Sequence, residues 1–525
     1  MKKTNIRKVL KKNGFLIYNF QGTSMLPLLK EKEDKVHLKA NEEIKLFDVV
    51  LFERHEGYYV LHRVIDIVDG KCYILGDNSP VLDVVPLNEI VAKMVGYYKK
   101  DKYFDINSQE YLDYVERIKK LVEPIKKDLI KDPKEFFYQR KKNAYYQVLR
   151  YALKKEADGD IISNLLRFEK ADLVDYCAFK KALPALGMLV NDGVVDLSTS
   201  LNKYVLDSLN EAKFRYLRSE EAVKKLTLCF SNHKIPHIFL KGTDIRNEYP
   251  FPYLRVSNDI DLLVKPEDFE KSKEILINEF GGEFYATTQH DESYVCKKIM
   301  MDVELHHHIN TDLPEDVMWV SEDIFKDAIK DKDSPYRYHA SNEMNKVINL
   351  SHSAKHLNGG EFWATMLWDF YILNKNKINS QVLVDARLID FNKTLNEYTG
   401  VILDNNPAKD SLKEFERFIF KNRNETYISL SKGKYKTKFA YLMNRIFVPY
   451  RYFVPRHKAL QKCPLLLPFY EVARWVKMPF KKGGIKRYKE EMNNYISASE
   501  NEIKALTDAG LKEYIVKYED HKTRF

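Results

Sequence analysis

Over the first hundred residues, apolar and polar positions alternate in short runs. VVLFER (49–54), GYYVLHRVIDIV (57–68), KCYILGD (71–77) and IVAKMVGYY (90–98) are rich in β-branched and aromatic residues, and Gly, Asp, Asn and Pro separate them. That pattern predicts strands. From about 108 to 235 the period changes. YLDYVERIKKLVEPIKKDLI, EFFYQRKKNAYYQVLRYALKK and SEEAVKKLTLCFSNHK carry apolar residues three and four apart, interrupted at Pro124, Pro133 and Pro184; this predicts amphipathic helices. A mixed stretch follows. HIFLKG is a short apolar run ending in glycine, NDIDLLVK reads as a strand with acids inside it, DFEKSKEILINEFGG as a helix closed by glycines, and CKKIMMDVELHHHI as another strand. After 340, MNKVINLSHSAKHL, FWATMLWDFYILNK and SLKEFERFIFKNR are helical again. The expected fold class is multidomain α+β: an all-β domain over 1–104, a helical part over 105–225, an α/β core over 226–335 and a helical region over 336–525.

Composition narrows the class. The chain has 525 residues, 44% hydrophobic and 31% charged, with a net charge of +10. These are values of a globular protein with a mild preference for polyanionic partners. Five scattered cysteines form no CxxC pair, which suggests a reducing compartment and small core thiols rather than staples. No apolar run approaches the about 18 residues that span a bilayer. The basic start MKKTNIRKVLKKNG leads into FLIYNF, too short for a signal segment, so the expected compartment is the cytoplasm.

Two constellations carry chemistry. In the first, Ser24 sits in the turn QGTSMLPLL, His62 in the alternating strand VLHRVI, and Asp77 and Asp83 around the Asn-Ser-Pro turn of LGDNSPVLDVV. A serine in a Gly/Pro turn is ordinarily a turn former, and a strand histidine is ordinarily a satisfied core or surface residue. Together, a nucleophile, a base and an orienting acid are the parts of an acyl-transfer site. GTSMLP, LHRVI and GDNSPVLD, in this order, resemble the S24/S26 signal-peptidase superfamily, in the branch that uses Ser-His. The resemblance covers about residues 15–100. It implies Ser24 as nucleophile, His62 as base and Asp83 as acid, with Asp77 as a structural neighbour and second candidate, acting on a peptide substrate. Two departures stand out: no hydrophobic anchor helix precedes the motif, and Gly22 offers no hydroxyl two residues before the serine. The Ser24 N–H would hold the oxyanion alone, and one such donor is typically worth about 2.7–4 kcal/mol.

In the second constellation, Asp259 and Asp261 stand two apart in NDIDLLVK, so a strand places both carboxylates on one face. Like charges that close call for a cation. DVELHHH offers Asp302 and Glu304 on a shared face, and Lys241-Gly242-Thr243 with Arg255 offers a phosphate-binding turn and neutralising charge. The bland alternative is an acidic strand edge. These residues, with Tyr249-Pro250, Glu304-Leu305-His306, His352, His356, Trp368 and Asp369, resemble the bacterial branch of uncharacterised nucleotidyltransferases within the DNA-polymerase-β-like superfamily, over about residues 200–480. The resemblance implies that Asp259, Asp261 and Glu304 hold Mg²⁺ (or Mn²⁺), that a nucleoside triphosphate is the substrate, and that Lys241, Gly242, Thr243 and Arg255 bind it. Thr243 stands where the superfamily more often has serine.

The histidines His306, His307, His308, His352 and His356 raise a zinc reading, since HxxxH can chelate on a helix. The HExxH glutamate is missing, and support of Glu304 by His306 is the preferred role. Residues 441–489 mix Arg and Lys with Tyr, Phe and Trp; helical packing is the first reading, peripheral contact with an anionic membrane the second, and single-stranded nucleic acid the last. The whole reads as a peptidase-like domain fused to a nucleotidyltransferase, maturing a small ribosomal peptide. The alternative is a toxin- or defence-type transferase acting on tRNA or protein, with a non-catalytic peptide-binding N-terminal domain.

Overall fold

The computed structural model describes residues 6–255, 257–287, 291–309, 317, 320, 324–358, 361–420, 466–470, 472 and 504–514. It is a mixed α+β protein, with an antiparallel sheet near the N-terminus and a helical region toward the C-terminus. Most of 441–489, and with it the basic-aromatic segment and Cys463, lies outside the described residues. Two compact units divide the chain: Met1–Val148 with Glu156–Cys177 and Leu189–Tyr204, and Leu149–Lys155 with Ala178–Met188 and Val205–Phe525.

The first unit is built on an eight-stranded sheet: β1 (Phe15–Tyr18), β2 (Asp34–Lys39), β3 (Val49–His55), β4 (Tyr58–Val68), β5 (Lys71–Leu75), β6 (Leu82–Pro86), β7 (Ala92–Lys99) and β8 (Lys102–Asp105). The order is β1-β2-β7-β3-β4-β5-β6, with β8 also on β7, and every pairing is antiparallel. The pattern fixes two apolar faces. Val36, Leu38, Leu51, Leu61 and Met94 join Met25 and Leu29 in one cluster; Val50, Phe52, Val64, Cys72 and Ile74 form the other. The helix Gln109–Val122 is part of this unit: Tyr111 enters the first cluster, and Val122 packs with Ile65 and Leu75. Pro133 and Pro184 stand at the starts of the helices Pro133–Lys154 and Leu183–Asn191, where a missing N–H and a fixed φ suit the first turn.

The second unit holds a sheet ordered β11-β12-β13-β10-β9-β15-β14. Its strands are β9 (His237–Phe239), β10 (Asp259–Val264), β11 (Gly282–Thr287), β12 (Asp291–Cys296), β13 (Met301–His306), β14 (Ile329–Lys330) and β15 (Arg337–His339). The β10–β13 and β9–β15 pairs are parallel and the rest antiparallel. Alternation decides the faces. Ile260, Leu262, Val264, Val303 and Leu305 pack with Leu226 and Phe230 of the helix Thr199–Asn232 and Leu276 of the helix Phe269–Phe280. Asp259, Asp261, Asp302 and Glu304 are thereby left on the opposite face. The expected strand over 296–309 begins later, at Met301, after a turn. The hairpin β11–β12 carried no clear alternation and was not expected.

Candidate functional sites

In the second unit, β10 and β13 run parallel in a register that sets Asp259 beside Asp302 and Asp261 beside Glu304. Asp261 is buried. Its Oδ1 accepts from Lys241 Nζ at 2.7 Å and from His306 Nε2 at 3.1 Å. Burial works against its charge, but Lys241 and His306 outweigh burial and hold the carboxyl below the ordinary range. Glu304 lies on the same side, with Oε2 3.7 Å from His306 Nε2. Burial, then the charges of Asp261 and Asp259, push its carboxyl up to about 7. One donor atom from each of Asp261, Glu304 and His306 lies within a 4.8 Å group. Ser257 Oγ donates to Asp259 Oδ1.

Lys241 has φ +52° and caps the short turn Gly242–Ile245. Burial pulls its ammonium down, but Asp261, with Glu304 and Asp259, leaves it above its ordinary value. Gly242 is required by its neighbour: a Cβ there would stand 2.3 Å from Arg255 Nη1. Thr243 is buried beside it. Arg255 is held from its other side, its Nε 2.7 and 2.8 Å from the Asp369 carboxylate oxygens, and Tyr249 donates its hydroxyl to Asp369 as well. The structure thus places Arg255 in an ion pair against the glycine turn, with its charge already answered. The sequence pattern did not reveal Lys181. Lys181 is exposed, its ammonium 3.2 Å from the centre of the Trp363 ring, and it feels the charges of Glu361, Arg255 and Asp259. Nothing in its local sequence marks it; only the fold brings its charge into the field of Asp259.

His352 and His356 stack edge to face at 4.5 Å between ring centroids. Burial depresses them to about 2 and about 4, so both are neutral. Glu361 Oε2 lies 3.5 Å from His356 Nδ1, but among the described residues these donors do not close into a compact group of three, and His306 is the one histidine of the five to enter such a group with acids.

In the first unit, the Asp77 and Asp83 candidates part company. Asp77 Oδ1 and Oδ2 accept from the buried Arg63 at 2.8 and 2.7 Å, and Oδ2 also accepts from Tyr114 at 3.0 Å. Asp83 faces His62, with Oδ2 3.4 Å from Nδ1, a contact short of full hydrogen-bond geometry. Asp83 also accepts from Arg54, Oδ1 from Nε at 2.8 Å and Oδ2 from Nη2 at 2.5 Å. Burial raises the Asp83 carboxyl, but His62 and Arg54 outweigh it and leave it lowered. Ser24 is half-buried, and its carbonyl accepts from Asn78 N at 2.7 Å. A Cβ on Gly76 would lie 2.9 Å from both His62 Nε2 and Ser24 O. The imidazole edge and the serine turn are therefore neighbours across a glycine that leaves room for them.

Residues 168–400 match the family described as uncharacterised nucleotidyltransferases, a span that contains Asp259, Asp261, Glu304 and the Lys241 turn. No curated protein and no solved structure matches the chain. Among the described residues no helix is long and apolar enough to cross a membrane.

Proposed function

We infer that the second unit binds a nucleoside triphosphate and transfers its nucleoside monophosphate to an acceptor oxygen. The observation that carries this is the carboxylate face of β10 and β13, where Asp261 and Glu304 stand side by side and the Glu304 carboxyl is pushed up by burial and by its acidic neighbours. This crowding of carboxylates, one buried and two half-buried, fits a divalent cation, and its oxygen donors are those Mg²⁺ or Mn²⁺ takes. Asp259, Asp261 and Glu304 would hold the cation, which when bound neutralises triphosphate charge and acidifies the acceptor oxygen. The remaining roles belong to the chain. Lys241 and His306 fix the Asp261 carboxylate, and Ser257 orients Asp259. The Lys241-Gly242-Thr243 turn receives phosphate oxygens. Arg255, pinned by Asp369 and Tyr249, supports that turn from beneath. Lys181 adds positive charge near Asp259. In the reaction the acceptor oxygen bonds to the α-phosphorus and pyrophosphate leaves. Incubation with α- and γ-labelled triphosphates in cell lysate tests this. The α label should enter an acceptor, the γ label should not, and Asp259→Asn should abolish transfer. Transfer of the γ label, or transfer that survives Asp259→Asn, contradicts it. The labelled product also separates small peptide from tRNA or protein as acceptor.

The first unit supports a second reading, a serine peptidase acting on a peptide, because His62 stands between Asp83 and the Ser24 turn. His62 would take the Ser24 proton while Asp83 orients the imidazole. A serine-reactive phosphonate should label the wild type and neither Ser24→Ala nor His62→Ala. Labelling of all three sinks the triad and leaves a peptide-binding module. Joined in one chain, the two activities suit maturation of a small ribosomally made peptide.

A further inference from the structure

Away from the carboxylate face, three side chains of different chemistry converge. Cys229 lies in the last turn of the helix Thr199–Asn232, and His233 N still donates to Cys229 O at 3.1 Å, so the two are stacked four residues apart. Glu279 reaches them from the last turn of the helix Phe269–Phe280. Its Oε2 accepts from Cys229 Sγ at 3.0 Å and its Oε1 lies 2.5 Å from His233 Nε2. One sulfur, one nitrogen and one oxygen thus sit within 4.8 Å of one another. Cys229 is buried, while the His233 and Glu279 side chains are 38% and 46% exposed, so the cluster has a buried anchor and an open side.

The geometry points to a binding site for one zinc-like transition-metal dication at Cys229, His233 and Glu279, with the fourth position open to solvent. A thiolate, an imidazole and a carboxylate are the donors Zn²⁺ prefers, and three protein ligands with one open position are a recurrent arrangement. Two protons now occupy the space between these donors: the Cys229 thiol hydrogen and the hydrogen between His233 and Glu279. On binding, the thiol proton goes to solvent and the imidazole hydrogen that faces Glu279 moves from Nε2 to Nδ1, which leaves Nε2 for the metal and releases one proton in all. Two cations flank the cluster without filling it. Lys271 Nζ donates to His233 O at 3.0 Å and Lys298 Nζ to Asn278 O at 3.4 Å. Both bond backbone carbonyls, which leaves the three donor atoms to one another. The cluster ties the helix that leads into β9 to the helix that follows β10, so a bound ion would brace the two strands that precede Lys241 and carry Asp261.

The full chain, stripped with chelator and titrated with Co²⁺ alone, tests this. One equivalent should produce an intense near-ultraviolet thiolate-to-cobalt band with visible bands of four-coordinate metal, and Zn²⁺ should erase both. Binding should release about one proton at neutral pH. Asp261→Asn and His306→Ala should keep the thiolate band, since that cluster has no sulfur. Cys229→Ser should abolish it, and Glu279→Gln, an exposed change that leaves the helix intact, should weaken Co²⁺ binding at least tenfold. Absence of a thiolate band in the wild type, its persistence in Cys229→Ser, or unchanged affinity in Glu279→Gln overturns the site.

Discussion

Asp77 and Asp83 flank the same turn, and their surroundings give them different work. Asp77 is enclosed with Arg63, whose guanidinium also donates to Phe47 O. Removing one partner of such a buried pair leaves an uncompensated charge, so Asp77→Asn should lower unfolding free energy by about 3–5 kcal/mol. Asp83 shares Arg54 near the surface, where the Arg54 side chain is 31% exposed, and Asp83→Asn should cost about 1 kcal/mol or less. Urea unfolding of both variants, paired with phosphonate labelling of Ser24, checks the contrast: Asp77→Asn should be the unstable one, and Asp83→Asn the unreactive but stable one. At this scale the sequence was informative where chemistry is local. Two acids two apart on a strand share a face whatever the rest of the chain does. The commitment of Arg255 to Asp369 was not legible, because it is made across more than a hundred residues of chain. Lys181 was hidden for the same reason.

The elements that could be read ahead are those with a sustained period: β3, β4, β5, β7, β10 and the helices Phe269–Phe280, Asn342–Asn358 and Ala364–Leu373. Short strands could not. β9 is three residues long, inside the apolar run HIFLKG that is too short to name an element by itself, and it is a strand because β10 and β15 pair with it on either side. That strand also holds a pH-sensitive group. His237 is buried between Phe230 and Phe239; its Nδ1 hydrogen bonds Ile235 O at 2.9 Å and its Nε2 has no partner. Burial lowers its pKa from 6.5 to about 4. Protons therefore bind the unfolded chain first. The contribution of His237 is constant above about pH 6.5 and declines as pH falls toward 4, by at most about 1.4 kcal/mol per pH unit. Unfolding measured between pH 7 and 4 should show a shallower decline in His237→Leu than in the wild type. Equal slopes would mean that His237 does not titrate this way.

On the scale of the whole chain, the period change near 104 marks where the sheet ends, yet periodicity cannot say what packs on that sheet. Tyr111 and Tyr114 of the next helix reach the Arg63–Asp77 pair, and Val122 and Leu129 complete a cluster with Ile65 and Leu75. A fragment ending at Phe104 loses all four. Leu129 alone is worth about 2–5 kcal/mol in a packed core. Such a fragment should unfold at lower urea than one ending at Asp132, and matching midpoints would show the helices to be dispensable. The central claim, that Asp259, Asp261 and Glu304 form a metal-dependent triphosphate site, is tested most directly by thermal unfolding of the full chain with a nucleoside triphosphate, with and without Mg²⁺. The wild type should be stabilised only when both are present, by about 2.7 kcal/mol at a hundred times the dissociation constant. Asp259→Asn, Asp261→Asn and Glu304→Gln should each lose that stabilisation, with Asp302→Asn less affected. A wild type that shows no Mg²⁺-dependent stabilisation by any of the four common ribonucleoside triphosphates, or an Asp261→Asn variant that retains it, would contradict the account.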